Sequence, residues 1–212
     1  MGRTIIVGAG DFGRELDAWV AQDSSISRSD PRYFLDDNSG ALRKYPHLEP
    51  RLMGSIESFE PEIDDLLFLG ISDPETKEFI VTKLNSRSIE LATFIHSSVI
   101  TSSTLDVGQG TVICPGVIIS VGARLDACVT LNLQSTVGHD TEVGAFSSIM
   151  SHVDLTGHSK IGKGAYVGSH ATILPGVVVE DWALVGAGSV VTRRVPAGTT
   201  VFGVPAKQLS KK

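Results

Sequence analysis

Aliphatic side chains recur at every sixth position through the second half of the chain. Fifteen consecutive positions at this spacing, from Val107 to Val191, are all Val, Ile or Leu. A period of six matches neither the 3.6-residue period of a helix nor the two-residue period of a simple strand. It is typical of a coil with three flat faces, in which six residues form one short strand and one corner. The positions are 107, 113, 119, 125, 131, 137, 143, 149, 155, 161, 167, 173, 179, 185 and 191.

A second register supports this interpretation. The residue four after each of the first fourteen aliphatic positions, from Thr111 to Ser189, is Ala, Ser, Thr or Val. Small side chains suit the cramped corners of a triangular coil, whereas larger aliphatic side chains fill the middle. A β-sandwich also contains short strands, but its turns do not recur at one fixed spacing over so many units.

The N-terminal part of the chain follows a different pattern. An apolar run over residues 4–7 predicts a buried strand, and residues 14–20 predict a helix. Gly8, Gly10 and Gly13 lie between them with the spacing G-x-G-x-x-G. Glycines at this spacing let backbone amides approach a diphosphate at the N-terminus of a helix.

Acidic residues follow the second predicted strand. This strand covers residues 33–35 and ends in Asp36 and Asp37, and a third strand over residues 66–71 is followed by Ser72 and a helix over 75–85. The order strand, glycine loop, helix, strand and acid is typical of the mononucleotide-binding half of a Rossmann-like α/β fold. The unit is too short for a complete dinucleotide site, so a nucleotide-linked substrate fits better. Glycines used only for packing are the alternative.

These patterns divide the chain into three parts. Residues 1–92 are predicted to form a Rossmann-like domain that binds a nucleotide sugar. Residues 93–200 are predicted to form the coil. Residues 201–212 lack the repeat and are predicted to cap the end of the coil, as solenoids require.

Charge is distributed unevenly along the 212 residues, which carry a net charge of −6. Residues 1–157 contain 11 basic and 22 acidic residues, whereas residues 158–212 contain 7 basic and 2 acidic ones. The acidic part argues against nucleic acid as a partner. The basic part can attract a polyanionic small molecule, although ordinary solvated side chains explain it equally well. Its basic residues are Lys160, Lys163, Arg193, Arg194, Lys207, Lys211 and Lys212.

The two cysteines, Cys114 and Cys128, fall at different positions of neighbouring coils. This placement favours two reduced thiols in the cytosol over a disulfide. The sequence shows no secretory signal, and no apolar run approaches the roughly 18 residues of a membrane-spanning helix. We therefore expect a cytoplasmic protein without a membrane span.

His139 and Asp140 are adjacent at a predicted corner of the middle coil. A carboxylate beside an imidazole fixes its tautomer, and histidine ordinarily titrates near neutral pH. Such a pair is suited to general-base catalysis, for instance in acetyl transfer to an amine, since an ammonium ion cannot attack a thioester. A solvent-exposed histidine at a turn is the alternative interpretation.

Residues eighteen apart are expected to lie above one another in such a coil. Asp140 and His158 form one column of this kind, and Gln134, His152 and His170 form another. None of these histidines is paired at i,i+4 or accompanied in sequence by a clear third ligand, which structural and catalytic metal sites require. We therefore expect no metal ion.

With these features, the chain resembles the bacterial sugar O- and N-acyltransferases. The resemblance rests on the glycine-loop unit, the uninterrupted six-residue repeat, the His139–Asp140 pair and the sequence G-V-P-A-K at residues 203–207. It covers nearly the whole chain and is closest to acetyltransferases of nucleotide-linked 4-amino-sugars and to sialic acid O-acetyltransferases. The repeat is specific for the fold, and the combination is specific for the subfamily but not for the substrate.

The resemblance implies a left-handed parallel β-helix and a homotrimer with active sites between neighbouring subunits. It implies acetyl-CoA as the donor, His139 as the general base, Asp140 as the acid that orients it, and Asn132 in the same cleft. Acetyl-CoA would contact Gly157, Ala187, Pro205 and Lys207. The nucleotide of the substrate would contact Gly8, Gly10, Gly13, Asp36, Asp37 and Ser72.

Two positions depart from relatives that act on UDP-linked sugars. Some of these relatives have a second histidine where this chain has Ser148, and some have a lysine where it has Asn38. Both differences weaken the case for a UDP-sugar in particular.

The sequence thus predicts an acetyl-CoA-dependent N-acetyltransferase that acts on a nucleotide-linked 4-amino-deoxysugar, with UDP, dTDP or GDP as the nucleotide. Its product would enter surface-glycan biosynthesis, such as O-antigen or capsule. O-acetylation of sialic acid or a related sugar is the nearest alternative. A non-catalytic trimeric scaffold or sensor is the alternative from another class.

Overall fold

The computed structural model describes residues 2–23, 26, 31–103 and 105–209. Lys211, Lys212 and the rest of the segment 210–212, which belong to the predicted capping tail, lie outside these residues. The chain forms an N-terminal parallel sheet with two α-helices, followed by a long coil of short parallel strands. No helix among the described residues is long and apolar enough to cross a membrane.

The N-terminal unit is a four-stranded parallel sheet with strand order β3-β2-β1-β4. This order also occurs in one half of a Rossmann fold, but a loop with a short 3-10 helix (Glu49–Arg51) joins β2 to β3 where that fold has an α-helix. The sequence predicted both α-helices but not β3. The elements are β1 (Thr4–Val7), α1 (Asp11–Val20), β2 (Arg32–Leu35), β3 (Leu52–Gly54), β4 (Leu66–Leu69) and α2 (Pro74–Ser86).

Alternating side chains of β1 face opposite sides of this sheet. Ile5 and Val7 pack in the cluster that contains the apolar residues of α2, whereas Ile6 packs in the cluster that contains those of α1. Each cluster also includes residues of the coil, among them Cys128 in the first and Cys114 in the second. The N-terminal unit therefore shares its core with the first part of the coil.

The second half of the chain is a left-handed parallel β-helix with three faces. Strands eighteen residues apart pair in parallel, as Arg124 with Glu142 and Thr130 with Ser148. The faces are an eight-stranded sheet (β23-β22-β20-β17-β14-β11-β8-β5), a six-stranded sheet (β21-β18-β15-β12-β9-β6) and a five-stranded sheet (β19-β16-β13-β10-β7).

The strands of the coil have the following bounds: β5 (Phe94–Ile95), β6 (Ile100–Thr101), β7 (Asp106–Val107), β8 (Val112–Ile113), β9 (Ile118–Ile119), β10 (Arg124–Leu125), β11 (Thr130–Leu131), β12 (Thr136–Val137), β13 (Glu142–Val143), β14 (Ser148–Ile149), β15 (Asp154–Leu155), β16 (Lys160–Ile161), β17 (Tyr166–Val167), β18 (Thr172–Ile173), β19 (Val178–Val179), β20 (Leu184–Val185), β21 (Val190–Val191), β22 (Thr200–Phe202) and β23 (Lys207–Gln208).

The side chains of both six-residue registers, the aliphatic one and the small one, point into this coil. All the aliphatic positions from Ile113 to Val191 are buried, and only Val107, near the start, is partly exposed. Every residue of the small register, from Thr111 to Ser189, is buried as well. The prediction of a coil with aliphatic faces and small corners is confirmed.

The corners of the coil place single residues in the left-handed region of backbone conformation. One corner column contains Asp140 (φ 57°), His158 (φ 60°) and Gly176 (φ 70°), and a second contains His152 (φ 59°) and His170 (φ 59°). Glycine adopts this conformation without strain, whereas a side chain does so at some cost. The polar residues at these corners project from the coil and are exposed.

The parallel ladder continues past the last aliphatic position. β22 pairs in parallel with β20, through Leu184 and Thr200, and β23 then turns back antiparallel, with Lys207 opposite Phe202. The antiparallel pairing ends the stacking of parallel coils. The three-part division of the chain remains a prediction, and the ladder crosses its proposed boundary after residue 200.

Helix α2 attaches the N-terminal unit to the eight-stranded sheet. The Lys77 ammonium is fully buried and donates to Cys128 O (3.1 Å), Thr130 Oγ1 (3.2 Å) and Ser147 O (2.9 Å). At the next residue, Glu78 pairs with Lys163 at 2.6 Å. These contacts hold the N-terminal unit against one face of the coil.

Candidate active site

His139 lies in the turn between β12 and β13, at the corner that joins the six-stranded and five-stranded sheets. Its Nδ1 is 2.9 Å from Oδ2 of Asp140, and about half of each side chain is exposed. An ionised carboxylate only accepts hydrogen bonds, so in the neutral imidazole Nδ1 carries the proton and Nε2 keeps a lone pair. The pair therefore has the tautomer that a general base requires.

Gly157 lies directly below the His139 ring, in the adjacent coil. A Cβ at this position would be 2.4 Å from His139 Nε2, which is far inside van der Waals contact. The absence of a side chain therefore leaves room for the imidazole in its present orientation. The structure thus brings together His139, Asp140 and Gly157 among the residues predicted for catalysis and acetyl-CoA binding.

His158 joins this group through the eighteen-residue column. Its Nδ1 is 3.9 Å from Asp140 Oδ2, and its ring meets the His139 ring edge-on, with centroids 4.8 Å apart and an interplanar angle of 90°. One ligand atom from each of His139, Asp140 and His158 lies within 4.8 Å of the others, so the group could hold a metal ion. These histidines have no clear third ligand nearby in sequence, whereas the fold brings Asp140 and both histidines together.

A cavity of about 540 Å³ opens at the carboxyl end of the N-terminal sheet. Its apolar wall includes Phe12, Ile71 and Phe79, and the Phe79 side chain is largely exposed at 61%. Five of the residues predicted to bind the nucleotide line this cavity. They are Gly8, Gly10, Asp36, Asp37 and Ser72.

The acids of this cavity are already hydrogen bonded to the backbone. Asp36 Oδ2 accepts from Ala9 N at 2.8 Å, and Asp37 Oδ1 accepts from Ile56 N at 2.9 Å. The Ala9 amide of the glycine loop is therefore engaged with a carboxylate instead of being open to a diphosphate. Nothing lies within 4 Å of the position that a Gly10 Cβ would occupy, so the backbone at Gly10 stays accessible.

Gly13 and Asn132 do not line the cavity. A Gly13 Cβ would come within 2.0 Å of Gly8 O, so this glycine permits close packing of α1 on the loop. Asn132 is buried at the end of β11, and its Oδ1 accepts from Leu133 N at 2.7 Å. It lies one corner of the coil away from His139, after a strand of the eight-stranded sheet.

Comparisons with known proteins agree with this architecture. Residues 158–193 match the family described as bacterial transferase hexapeptide (six repeats). The GDP-perosamine N-acetyltransferase of Escherichia coli O157:H7 is 27% identical over 216 residues, which cover 97% of this chain and 96% of that protein.

The chain is an acyltransferase, similar to acetyltransferases that carry the hexapeptide repeat.

Two solved structures match almost the entire length of this acyltransferase. PerB from Caulobacter crescentus, in complex with CoA and GDP-perosamine, is 26% identical over 99% of this chain and 98% of that chain, with a TM-score of 0.84. The acetyltransferase domain of PglB from Neisseria gonorrhoeae FA1090, in complex with acetyl coenzyme A, is 26% identical over 99% and 100%, also with a TM-score of 0.84.

The other residues predicted to contact acetyl-CoA lie near the C-terminal end of the coil. Ala187 is exposed at the corner between β20 and β21, and Pro205 follows a cis peptide bond after Val204 in the turn between β22 and β23. Lys207 is exposed on β23. Within one chain, Ala187 therefore occupies a different corner column from Gly157.

Among the described basic residues of the C-terminal part, Lys160, Lys163 and Arg194 have acidic partners. Lys160 pairs with Glu142 at 2.9 Å, and Arg194 pairs with Glu180. The Arg194 guanidinium, together with a backbone amide, lowers the pKa of Glu180 below its usual value. These pairs favour the interpretation of ordinary surface charges for Lys160 and Arg194.

Sequence reasoning missed the buried ammonium of Lys77 and the contact made by Ser148. Burial lowers the pKa of Lys77 from 10.5 to about 7, against the opposing effects of Cys128 and Asp73. Ser148 Oγ donates to the Ser72 carbonyl at 2.6 Å, so this residue links the cavity to the coil. Neither contact has a periodic signal in sequence.

Proposed function

We propose that this acyltransferase transfers an acetyl group from acetyl-CoA to the amino group of a nucleotide-linked 4-amino-deoxysugar. The observation that carries the proposal is the His139–Asp140 hydrogen bond of 2.9 Å, which leaves Nε2, next to Gly157, as the basic nitrogen of a half-exposed imidazole. The match to GDP-perosamine N-acetyltransferase over 97% of this chain supports the acceptor class. The CoA and acetyl coenzyme A complexes of the two matching structures support the donor.

In the proposed reaction, the neutral amine of the sugar attacks the thioester carbonyl and forms the new C–N bond. His139 Nε2 takes the proton from nitrogen, while Asp140 holds the imidazole through Nδ1 and stabilises the charge that develops. Backbone amides stabilise the oxyanion until the C–S bond breaks. The proton then passes from His139 to the departing CoA thiolate.

We assign the nucleotide of the acceptor to the N-terminal cavity. Its volume of about 540 Å³ lies in the range of small-molecule sites. Gly10 leaves the backbone approachable at one end, Gly8 lines the cavity beside Ile71, and the remaining lone pairs of Asp36 and Asp37 can accept hydrogen bonds from base or sugar. Ser72 completes the wall next to the coil, and Gly13 serves this site indirectly by letting α1 pack closely.

The positions of the cavity and of His139 favour an active site shared between subunits. Ser72 places the cavity against the eight-stranded sheet, whereas His139 occupies the corner between the other two sheets. In a triangular coil that corner points away from the eight-stranded face. A homotrimer in which a neighbouring chain supplies the other half would bring cavity and base together.

The same arrangement accommodates the remaining predicted contacts. Gly157 from one chain and Ala187 from its neighbour would flank the pantetheine arm, and Pro205 and Lys207 would border CoA. Asn132 would face the cleft from the side of the nucleotide cavity. We further propose that the enzyme acts in the cytoplasm, where nucleotide sugars and acetyl-CoA are available, and supplies surface-glycan biosynthesis.

The decisive experiment measures thiol release from acetyl-CoA with UDP-, dTDP- and GDP-linked 4-amino-sugars, free and CMP-linked sialic acid, and serine. We expect turnover with one nucleotide-linked amino-sugar. Turnover only with sialic acid would instead establish the O-acetylation alternative. Absence of thiol release with every acceptor of the panel would favour a non-catalytic scaffold.

His139→Ala tests the base directly. General-base catalysis contributes roughly 10²–10⁴-fold, so turnover should fall by that factor with the oligomer intact. His152→Ala is the matched control, because His152 is an exposed corner histidine in a different column. Equal activity of His139→Ala and wild type would remove His139 from the mechanism.

A further inference from the structure

The group formed by His139, Asp140 and His158 has a donor set suited to a transition metal. Two imidazoles and one carboxylate are ligands that Zn²⁺ accepts, whereas Mg²⁺ and Ca²⁺ prefer oxygen ligands. The donors come from corners stacked one coil apart, because His158 N donates to His139 O at 2.9 Å. The coil backbone therefore fixes the spacing of the three residues.

Two of the three donor separations bracket the value expected for a tetrahedral zinc site, and all three lie within 4.8 Å. Zinc bonds of about 2.0–2.1 Å place neighbouring donors roughly 3.4 Å apart. Asp140 Oδ2 lies 2.9 Å from His139 Nδ1 and 3.9 Å from His158 Nδ1, which bracket this value. Small side-chain rotations would bring all three donors to one ion, and the exposure of all three residues leaves a path for it.

A second histidine pair provides a contrast on the same coil. The rings of His152 and His170 stack face to face, with centroids 4.6 Å apart and an interplanar angle of 8°. Among the described residues, they belong to no group of three or more metal ligands. The carboxylate and the edge-on geometry therefore distinguish the His139 corner from an ordinary column of surface histidines.

We propose that His139, Asp140 and His158 form a binding site for Zn²⁺ or a similar divalent transition metal, and that the bound ion inhibits the enzyme. The ion would bind His139 Nδ1, the proton from that nitrogen would move to Nε2, and Asp140 would ligate the ion instead of orienting the ring. Because Nε2 would then carry a proton, His139 would no longer serve as a base. Metal binding stands independently of the reaction, whereas inhibition rests on the proposed function.

The binding test is calorimetric titration of Zn²⁺ into the full-length, chelator-stripped protein. We expect one ion per chain for the wild type. His158→Asn keeps a residue that tolerates the left-handed backbone and removes one ligand, so affinity should fall by at least about tenfold. His152→Asn, with the same change at the other column, should bind as the wild type does.

Two results would overturn the metal site: no stoichiometric binding by the wild type, or equal affinity in wild type and His158→Asn. Loss of binding in His152→Asn would do the same, since the ion would then lie elsewhere. Circular dichroism of each variant separates loss of a ligand from loss of fold.

The activity test uses thiol release once an acceptor is known. Zn²⁺ should inhibit the wild type, EDTA should reverse the inhibition, and His158→Asn should need at least about tenfold more Zn²⁺ for the same inhibition. Stoichiometric binding without inhibition would refute the inhibitory role. If every acceptor fails, the calorimetric result still decides whether the metal site exists.

Discussion

Replacing Lys77 with Met tests how the buried amino group of Lys77 affects the stability of the fold. Lys77 is fully buried and, among the described residues, forms no ion pair with a carboxylate; its three acceptors are Cys128 O, Thr130 Oγ1 and Ser147 O. Met has a similar length and no charge, so the variant removes the donor and keeps most of the packing. Thr130 N also donates to Ser147 O, so the carbonyl of Ser147 retains one partner.

The pKa of Lys77 determines how its effect depends on pH. Burial lowers the pKa from 10.5 to about 7, so the unfolded chain holds this proton up to a higher pH than the folded chain does. Between these values the unfolded state binds more protons, and the free energy of unfolding therefore rises with pH. Below about pH 7 both states are protonated and this contribution is constant at its least favourable value.

The size of the effect follows from the two pKa values. One pH unit corresponds to about 1.4 kcal/mol, so Lys77 should add about 2 kcal/mol to the free energy of unfolding between pH 7 and pH 9. At pH 9 the neutral amine still donates hydrogen bonds, and its loss in Lys77→Met should cost roughly 1–3 kcal/mol. The gap between wild type and variant should therefore widen as pH rises.

Urea denaturation at a fixed protein concentration and pH 7, 8 and 9 measures this gap. Lys83→Met is the control, because Lys83 lies on the same helix with a partly exposed side chain, 4.0 Å from Asp37. Parallel stability curves for wild type and Lys77→Met would refute the reasoning. They would mean that the three acceptors keep the buried ammonium charged throughout this range.

Two glycine substitutions test close packing, and thiol reactivity tests the burial of the two cysteines. In Gly157→Ala, the new Cβ would displace the His139 ring. A misplacement of about 1 Å should lower turnover roughly 10²-fold, while the circular dichroism spectrum stays unchanged. Normal turnover would show that His139 does not need its present orientation. Gly13→Ala should lower the melting temperature, because α1 must move off the glycine loop, and an unchanged value would contradict the close approach. Burial raises the pKa of the Cys128 thiol to about 11 and that of Cys114 further, so neither should react with a thiol reagent until the protein is unfolded; rapid reaction of the native protein would contradict this.

The repeat was predictable because its stabilising contacts are periodic. Each residue of the coil packs on residues eighteen positions away, so the face of every side chain can be read from spacing alone. The column of Asp140 and His158 was visible in the same way. The close contact between the rings of His139 and His158 was not predictable, because their edge-on geometry depends on backbone and side-chain angles.

The candidate nucleotide site was only partly predictable. The glycine spacing and the paired acids located the cavity, but they did not distinguish Gly10, which is open, from Gly13, which packs on the Gly8 carbonyl. Nor did they indicate that Asp36 already accepts a hydrogen bond from the loop. These distinctions depend on how closely a helix approaches a strand, which a short motif does not encode.

The sequence by itself determined the three-faced coil, its inward aliphatic and small residues, and the adjacent histidine and carboxylate at one corner. Only the tertiary structure decided that Lys77 is buried against the eight-stranded sheet, that Ser148 contacts Ser72, and that His158 shares the Asp140 carboxylate. The physical reason is the nature of the contacts. Those within the coil repeat at a fixed interval, whereas those between α2 and the coil join residues 51 to 85 positions apart and follow no repeat.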